Sequence, residues 1–417
     1  MRKRIYQAVS VKDLDWTKLA RQDQLIVGID IAKKTMFAVI MAPSEEVLAV
    51  VKWDHLTETR LFASKLSRLR AEVAMEPSGT YGDALRQSLI DSGLKVFRVS
   101  PKHVKDSREI YDGVPSSHDA KCSAIIAWLH GLGRSSLWQG PDEKVQQIKA
   151  AQQTLTLHAQ ASMQAANRLE ASLARYWPEV LDLLSLDSAV LFELLARFGG
   201  PEGVAMFPEE AEALMERVGR SGLKEEKIDR ILESAGGTLG VRMIEAEKEM
   251  LRELGAEARR RQQAVQGAKK RLQALSSADA ELSRVGAVVG LVTSAVLAGE
   301  VGSLVEYPNT GSLLKAAGLN LKEISSGRRQ GQLGISKRGP SRARQYLYLA
   351  ALRWIRADPW ARAWYAEKVH RDGGRHKRKA IVALMRKLLR GLWWVARGEA
   401  FDSTKLFDTQ RLSFGKA

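Results

Sequence analysis

From Gln24 onward the apolar and polar residues fall into short runs: LIVGIDIAKKTMFAVIMAPSEEVLAVVKWDH holds three β-branched stretches broken by KKT and PSEE. Runs of that length between polar turns predict a meander of three antiparallel strands. The period then lengthens. HLTETRLFASKLSRLR carries its apolar residues at helical spacing, and EVAMEP, TYGDALRQSLIDSG and KVFRVS predict strand, helix and strand in turn. After the turn residues Asp112 to Pro115, SSHDAKCSAIIAWLHGLG predicts a helix capped by Ser116 or Ser117.

Three antiparallel strands followed by alternating helix and strand is the order of an RNase H-like α/β fold. Between Gly140 and Leu275 the pattern changes to long charged helices, one through Lys144–Tyr176 and one ending near Leu275, which predict an antiparallel coiled coil around a short helical insertion. Beyond Leu282, SRVGAVVGLVTSAVLAGEVG predicts two short helices meeting at glycines, an element like a helix-hairpin-helix that suits contact with a phosphate backbone. The remainder predicts a mostly α-helical C-terminal domain. The expected division is an N-terminal extension (1–24), an α/β domain (25–138), a helical linker (139–278) and a C-terminal domain (279–417).

Charge changes this picture most. The chain of 417 residues has a formal net charge of +17, and twenty Lys and Arg stand against four acids between Lys322 and Gly398. Such a concentration points to a polyanionic partner, nucleic acid being the commonest. Cys122 is the one cysteine, which excludes an intramolecular disulfide and a cysteine-based zinc knuckle. No run of about 18 apolar residues occurs, and the basic start is followed by polar residues, so a cytosolic, nucleoid-associated protein is expected.

Three carboxylates fall at edge positions where they can converge: Asp30 at the end of an apolar strand, Glu76 after EVAM, and Asp119 in the first turn of a helix. Hard oxygen ligands brought together hold magnesium, and two ions about 4 Å apart stabilise the attacking and leaving oxygens of a phosphodiester reaction. Taken singly, Asp119 serves equally well as a helix cap or a dipole partner. Cys122, on the same helix face as Asp119, reads as a small buried side chain, because thiolate binds magnesium poorly. His118 reads as a capping or solvated residue.

Far along the chain, Ser325 and Ser326 precede Gly327 and the pair Arg328 and Arg329. A hydroxyl beside cations and glycine can approach and attack a phosphodiester, while the same residues also make an ordinary basic loop. Lys337, Arg338, Arg342 and Arg344 in ISKRGPSRAR are expected to contact phosphates. Three functions follow from the residues: strand cutting by serine, cutting by metal-activated water, and nucleic-acid binding by a chain whose acidic site has weakened.

With these residues in view, the chain resembles transposases of the insertion-sequence 110 family, closest to its 1111 branch. The resemblance lies in VGIDIAK around Asp30, MEPSGTYG around Glu76, DGVPSSHDAKCSAIIAWL around Asp119, and AGLNLKEISSGRRQGQLGISKRGPSRARQYLYLAAL with YAEKVHRDGGRHKRKAIVALMRKLL. It implies a RuvC-like N-terminal domain with four acids, a coiled-coil linker and a C-terminal serine domain. Asp30, Glu76 and Asp119 then match the first three acids, Ser326 the nucleophile, and Cys122 the place of the fourth acid. The resemblance further implies magnesium, a noncoding bridge RNA that pairs with donor and target duplex DNA, and a dimer to tetramer in which domains of different subunits form composite sites.

Overall fold

The computed structural model describes residues 6–77, 79–140, 142–326 and 329–409, with backbone alone at 324–326, 329–330 and 332. The chain divides into two compact units, Met1–Gly140 and Pro141–Ala417.

The first unit is a seven-stranded mixed sheet covered by helices. Its strands are β1 (Val9–Ser10), β2 (Leu25–Asp30), β3 (Thr35–Met41), β4 (Val47–Asp54), β5 (Ala71–Met75), β6 (Lys95–Val99) and β7 (Ser135–Leu137), in the spatial order β1-β4-β3-β2-β5-β6-β7. β2, β3 and β4 form the antiparallel meander, β5 and β6 continue from β2 in parallel, and β7 closes the edge antiparallel to β6. This order is consistent with an RNase H-like domain.

The helices of this unit are α1 (Trp16–Leu19), α2 (His55–Leu66), α3 (Asp83–Asp91), α4 (Pro101–Asp106), α5 (Arg108–Asp112) and α6 (Asp119–Gly131). Alternation along the strands decides which side chain meets which layer. Leu25, Val27 and Ile29 of β2 join Val73 and Met75 of β5 in the core under α2 and α3, with Phe62, Leu66, Leu85 and Leu89. The intervening positions face the other layer, where Ile26 packs with Ala120, Ala124 and Ala127 of α6. By the same parity Asp30 and Glu76 follow the α6 face, since Ile29 pairs with Met75 in register.

In the second unit α7 (Glu143–Tyr176) and α13 (Glu245–Ser277) run antiparallel. At one end Tyr176 donates its hydroxyl to Glu247 at 2.9 Å, and at the other Lys144 pairs with Asp279. Ile148 and Leu155 meet Ala268 and Leu272 between those ends. Five short helices lie between them in sequence: α8 (Val180–Leu183), α9 (Ala189–Phe198), α10 (Pro201–Met206), α11 (Pro208–Gly219) and α12 (Glu225–Gly236). They share a core with the Leu169 to Tyr176 end of α7 and with Leu251 and Ala258 of α13.

The C-terminal part holds α14 (Ala280–Val289), α15 (Leu291–Val301), α16 (Thr310–Ala316), the hairpin β8 (Leu321–Ser326) and β9 (Arg329–Ile335), then α17 (Ser341–Ala357), α18 (Pro359–Arg371) and α19 (Lys377–Ala396). α14 and α15 meet at Gly290, whose φ of +88° suits glycine. Their turn is fastened by Ser294, whose hydroxyl donates to Leu282 O at 2.7 Å. A single core of Leu313, Leu347, Ala351, Leu384 and Leu388 joins α16, α17 and α19. Among the described residues no helix is long and apolar enough to cross a membrane.

Candidate functional site

Asp30 ends β2, Glu76 stands one residue past β5, and Asp119 opens α6. β2 and β5 are neighbouring parallel strands, so the first two acids leave the same end of the sheet side by side. α6 can lie close over them because residue 28 is glycine. A Cβ there would stand 2.1 Å from Ser123 O and 2.4 Å from Ala127 N, closer than any real contact.

Ser123 fastens the helix to the sheet. The Asp30 backbone N–H donates to Ser123 Oγ at 3.2 Å, and that oxygen lies 3.1 Å from Phe37 O and 2.9 Å from Asp119 O. The hydroxyl proton can serve one of those two carbonyls at a time. One side chain thereby ties β2, β3 and the start of α6 at the point where two of the acids emerge.

Burial pushes the Asp30 carboxyl up to about 6, and the negative charges of Asp119 and Glu76 push in the same direction. The three acids therefore share one electrostatic site, two of them half-buried and Asp119 exposed. The Ile31 backbone N–H and the Arg108 guanidinium oppose the rise. Such mutual repulsion among hard oxygen donors is what a divalent cation relieves, so the residue types fit one. They do not form a closed cage: among the described residues no three or more His, Cys, Asp and Glu side chains are grouped closely enough to hold a metal ion.

Cys122 is buried beneath this cluster, 3.8 Å from Ser117 Oγ and 3.9 Å from Arg108 Nη2. Burial raises its thiol above the ordinary value and the Asp30 charge adds to that, with Ser117 and Arg108 opposing. The neutral thiol is thus favoured, as expected of a small packed side chain.

The cap of α6 is His118, not Ser116 or Ser117: its Nδ1 accepts from Lys121 N at 3.2 Å, and its ring meets Tyr6 edge-on at 5.1 Å. Shortly before this cap, Asp112 and Val114 are held by a buried lysine of α6. Lys121 is fully buried, and its ammonium donates to Asp112 Oδ1 at 2.6 Å and to Val114 O. An ion pair with a carbonyl as third partner offsets the cost of burying that charge. Ser123, Arg108, Lys121 and Gly28 did not emerge from the sequence as site residues. Only Gly28, a glycine inside an apolar strand, carried a local signal.

The serine segment lies in a pair of antiparallel strands, β8 with β9. Ser326 is the last residue of β8 and stands opposite Arg329 of β9. Gly327 and Arg328 lie outside the described residues. Lys337 and Arg338 are exposed after β9, where Lys337 has a φ of +55° and its N–H donates to Gly318 O at 3.0 Å. Arg342 reaches Glu300 at 3.7 Å, and Arg344 Nη1 donates to Gly339 O at 2.8 Å, with Ala317 O and Pro340 O each at 3.3 Å.

Beside the α14–α15 turn lies a groove of about 970 Å³ bordered by Lys269, Gln273, Gly290, Tyr346 and Arg353. Arg353 braces it, donating through Nη2 to Val289 O at 2.8 Å and to Thr293 Oγ1 at 3.1 Å.

Residues 27–178 match the DEDD type of IS110 transposase, a family described as transposase, and residues 287–366 match the transposase IS116/IS110/IS902 family. The first segment contains Asp30, Glu76 and Asp119, and the second contains the serine hairpin with Lys337, Arg338, Arg342 and Arg344. A stretch of 104 residues is 35% identical to the "Insertion element IS900 uncharacterized 42 kDa protein" of Mycobacterium paratuberculosis. That match spans about a quarter of each protein, 25% of this chain and 26% of the relative. With both ends of the chain matching the same group independently, this protein belongs to the IS110 family of insertion-sequence transposases.

Proposed function

We propose that the protein is an RNA-guided DNA recombinase of an insertion sequence, in which Ser326 attacks a phosphodiester. The serine oxygen forms the new bond to phosphorus, the displaced sugar oxygen leaves as an alcohol, and the phosphoserine ester keeps the energy of the broken bond for religation of the exchanged strand. The observation that carries this reading is the pair of family matches, one over the acidic site and the other over the serine hairpin.

Asp30, Glu76 and Asp119 would hold magnesium, which supplies charge neutralisation at the reacting phosphate when bound. The elevated Asp30 carboxyl supports this, because three acids that repel one another are poised for a cation. Arg108 partly offsets their charge. Arg328, Arg329, Lys337, Arg338, Arg342 and Arg344 serve as phosphate contacts, and the α14–α15 pair serves as a helix-hairpin-helix on the backbone. In this reading α7 and α13 form a coiled-coil linker (139–278) between a RuvC-like domain (25–138) and a serine domain (279–417), and a noncoding bridge RNA supplies the target sequence. The working form is a dimer to tetramer on donor and target DNA.

Cleavage assays with the guide RNA separate this from cutting by activated water. Loss of cleavage in both Ser326→Ala and Asp30→Ala supports the serine reading. Cleavage that survives Ser326→Ala but not Asp30→Ala selects the water reading, with Ser325→Ala as the control for the neighbouring hydroxyl.

A further inference from the structure

The positive charge of the chain is not spread evenly. Residues 179–250 hold sixteen Asp and Glu against eight Lys and Arg, a net of −8 in a chain of +17, which leaves +25 on the rest. These residues are the five short helices α8 to α12 with their connections and the first turns of α13. Glu209, Glu210, Glu216, Glu225, Glu226 and Asp229 are all exposed. An acidic surface of this size repels phosphate backbones, so this module is the part of the protein least suited to nucleic acid.

The same module presents apolar side chains outward on an anchored loop. Between α12 and α13, Leu239 is 89% exposed, Ile244 67% and Val241 52%. Scattered exposed apolar residues need no explanation, but here the backbone that carries them is pinned at successive points. Leu239 N donates to Glu179 at 2.7 Å, Val241 N to Arg175 O at 2.9 Å, Met243 N to Glu202 at 3.0 Å and Ile244 N to Glu247 at 3.0 Å. A loop fixed in this way holds its three apolar side chains ready for a partner, with little ordering left to lose on docking.

We propose that this loop, with the acidic helices around it, is the contact through which a second copy of the chain docks. Charge complementarity selects that occupant: the module is negative, and a copy of the same protein offers a strongly positive surface elsewhere. The inference deepens the assembly part of the proposed function by naming the surface, and it stands or falls apart from the cutting chemistry.

Sedimentation velocity of the protein tests it, alongside the double variants Leu239→Ser/Ile244→Ser, which remove the apolar contact without changing the charge, and Glu225→Lys/Glu226→Lys. The expected result is a self-associating wild type whose dissociation constant rises with salt and rises at least tenfold in either variant, with unchanged circular dichroism and unchanged binding of a labelled DNA duplex. A wild type that stays monomeric, variants that associate like the wild type, or variants that lose duplex binding while still associating would each overturn it. Loss of strand cleavage in Ser326→Ala with association intact bears on the chemistry alone.

Discussion

The backbone N–H of Asp30 donates to the hydroxyl of Ser123 across 93 residues of sequence, and the same hydroxyl reaches the carbonyl of Asp119. Two acids of the candidate site are therefore registered against each other through one side chain. Ser123→Ala leaves the Asp30 N–H without that partner, so a loss of about 1–2 kcal/mol is expected from denaturant midpoints. Strand cleavage should fall by more than the loss of folded protein explains, because small misplacements of reacting groups are heavily penalised. Wild-type cleavage in a measurably destabilised Ser123→Ala would show that the tether supports the fold alone.

Asp30 gives a stability signature with a defined sign. Its carboxyl is raised from 3.8 to about 6 in the folded chain, so ionising it disfavours folding. That contribution is fully favourable below about pH 4 and is lost as pH rises through about 6. Asp30→Asn is accordingly expected to be more stable than wild type at pH 7.5 and to lose the advantage toward pH 4, read as urea midpoints across that range. Magnesium should stabilise the wild type at pH 7.5 more than the variant.

Gly28→Ala tests how the helix is seated. The added methyl meets backbone atoms of α6 and not a yielding side-chain tip, so α6 must lift off β2. A loss of about 1–3 kcal/mol or more is expected. Thermal unfolding measures it, and the Asp30 titration should move toward its ordinary value as the site opens.

Much of the first unit was legible in order and type. Strands β2 to β4 announced themselves by β-branched runs, and the parity that turns Asp30 and Glu76 toward α6 follows from the same alternation. Edge strands β1 and β7, of two and three residues, are too short to leave a periodic signal. The hairpin β8–β9 escaped for another reason. Its residues, LKEISS and RQGQLGI, mix charges, glycine and glutamine, and such sequences become strands only through the partner they pair with. Buried Lys121 was equally hidden, since a lysine in a helix reads as solvent-facing until its partners Asp112 and Val114 are brought beside it by the chain turn.

Cys122 stands where the family resemblance implies a fourth acid, and it is buried next to the Asp30 charge. Cys122→Asp adds a further hard ligand together with a further buried negative charge. The expected outcome is a lower melting temperature without metal, recovery of that loss on adding magnesium, and cleavage at lower magnesium concentration than wild type. Equal magnesium dependence in the two proteins would mean that position 122 plays no part in cation binding.

The central claim is that an alcohol of the second unit carries the broken strand. Its most direct measurement is mass spectrometry of the peptide left bound to DNA after reaction with guide RNA and target, followed by proteolysis. The account predicts a phosphonucleotide on Ser326, absent from Ser326→Ala and abolished when Asp30 is changed to Ala. A phosphonucleotide on another residue, or full cleavage with no peptide attached, would contradict it.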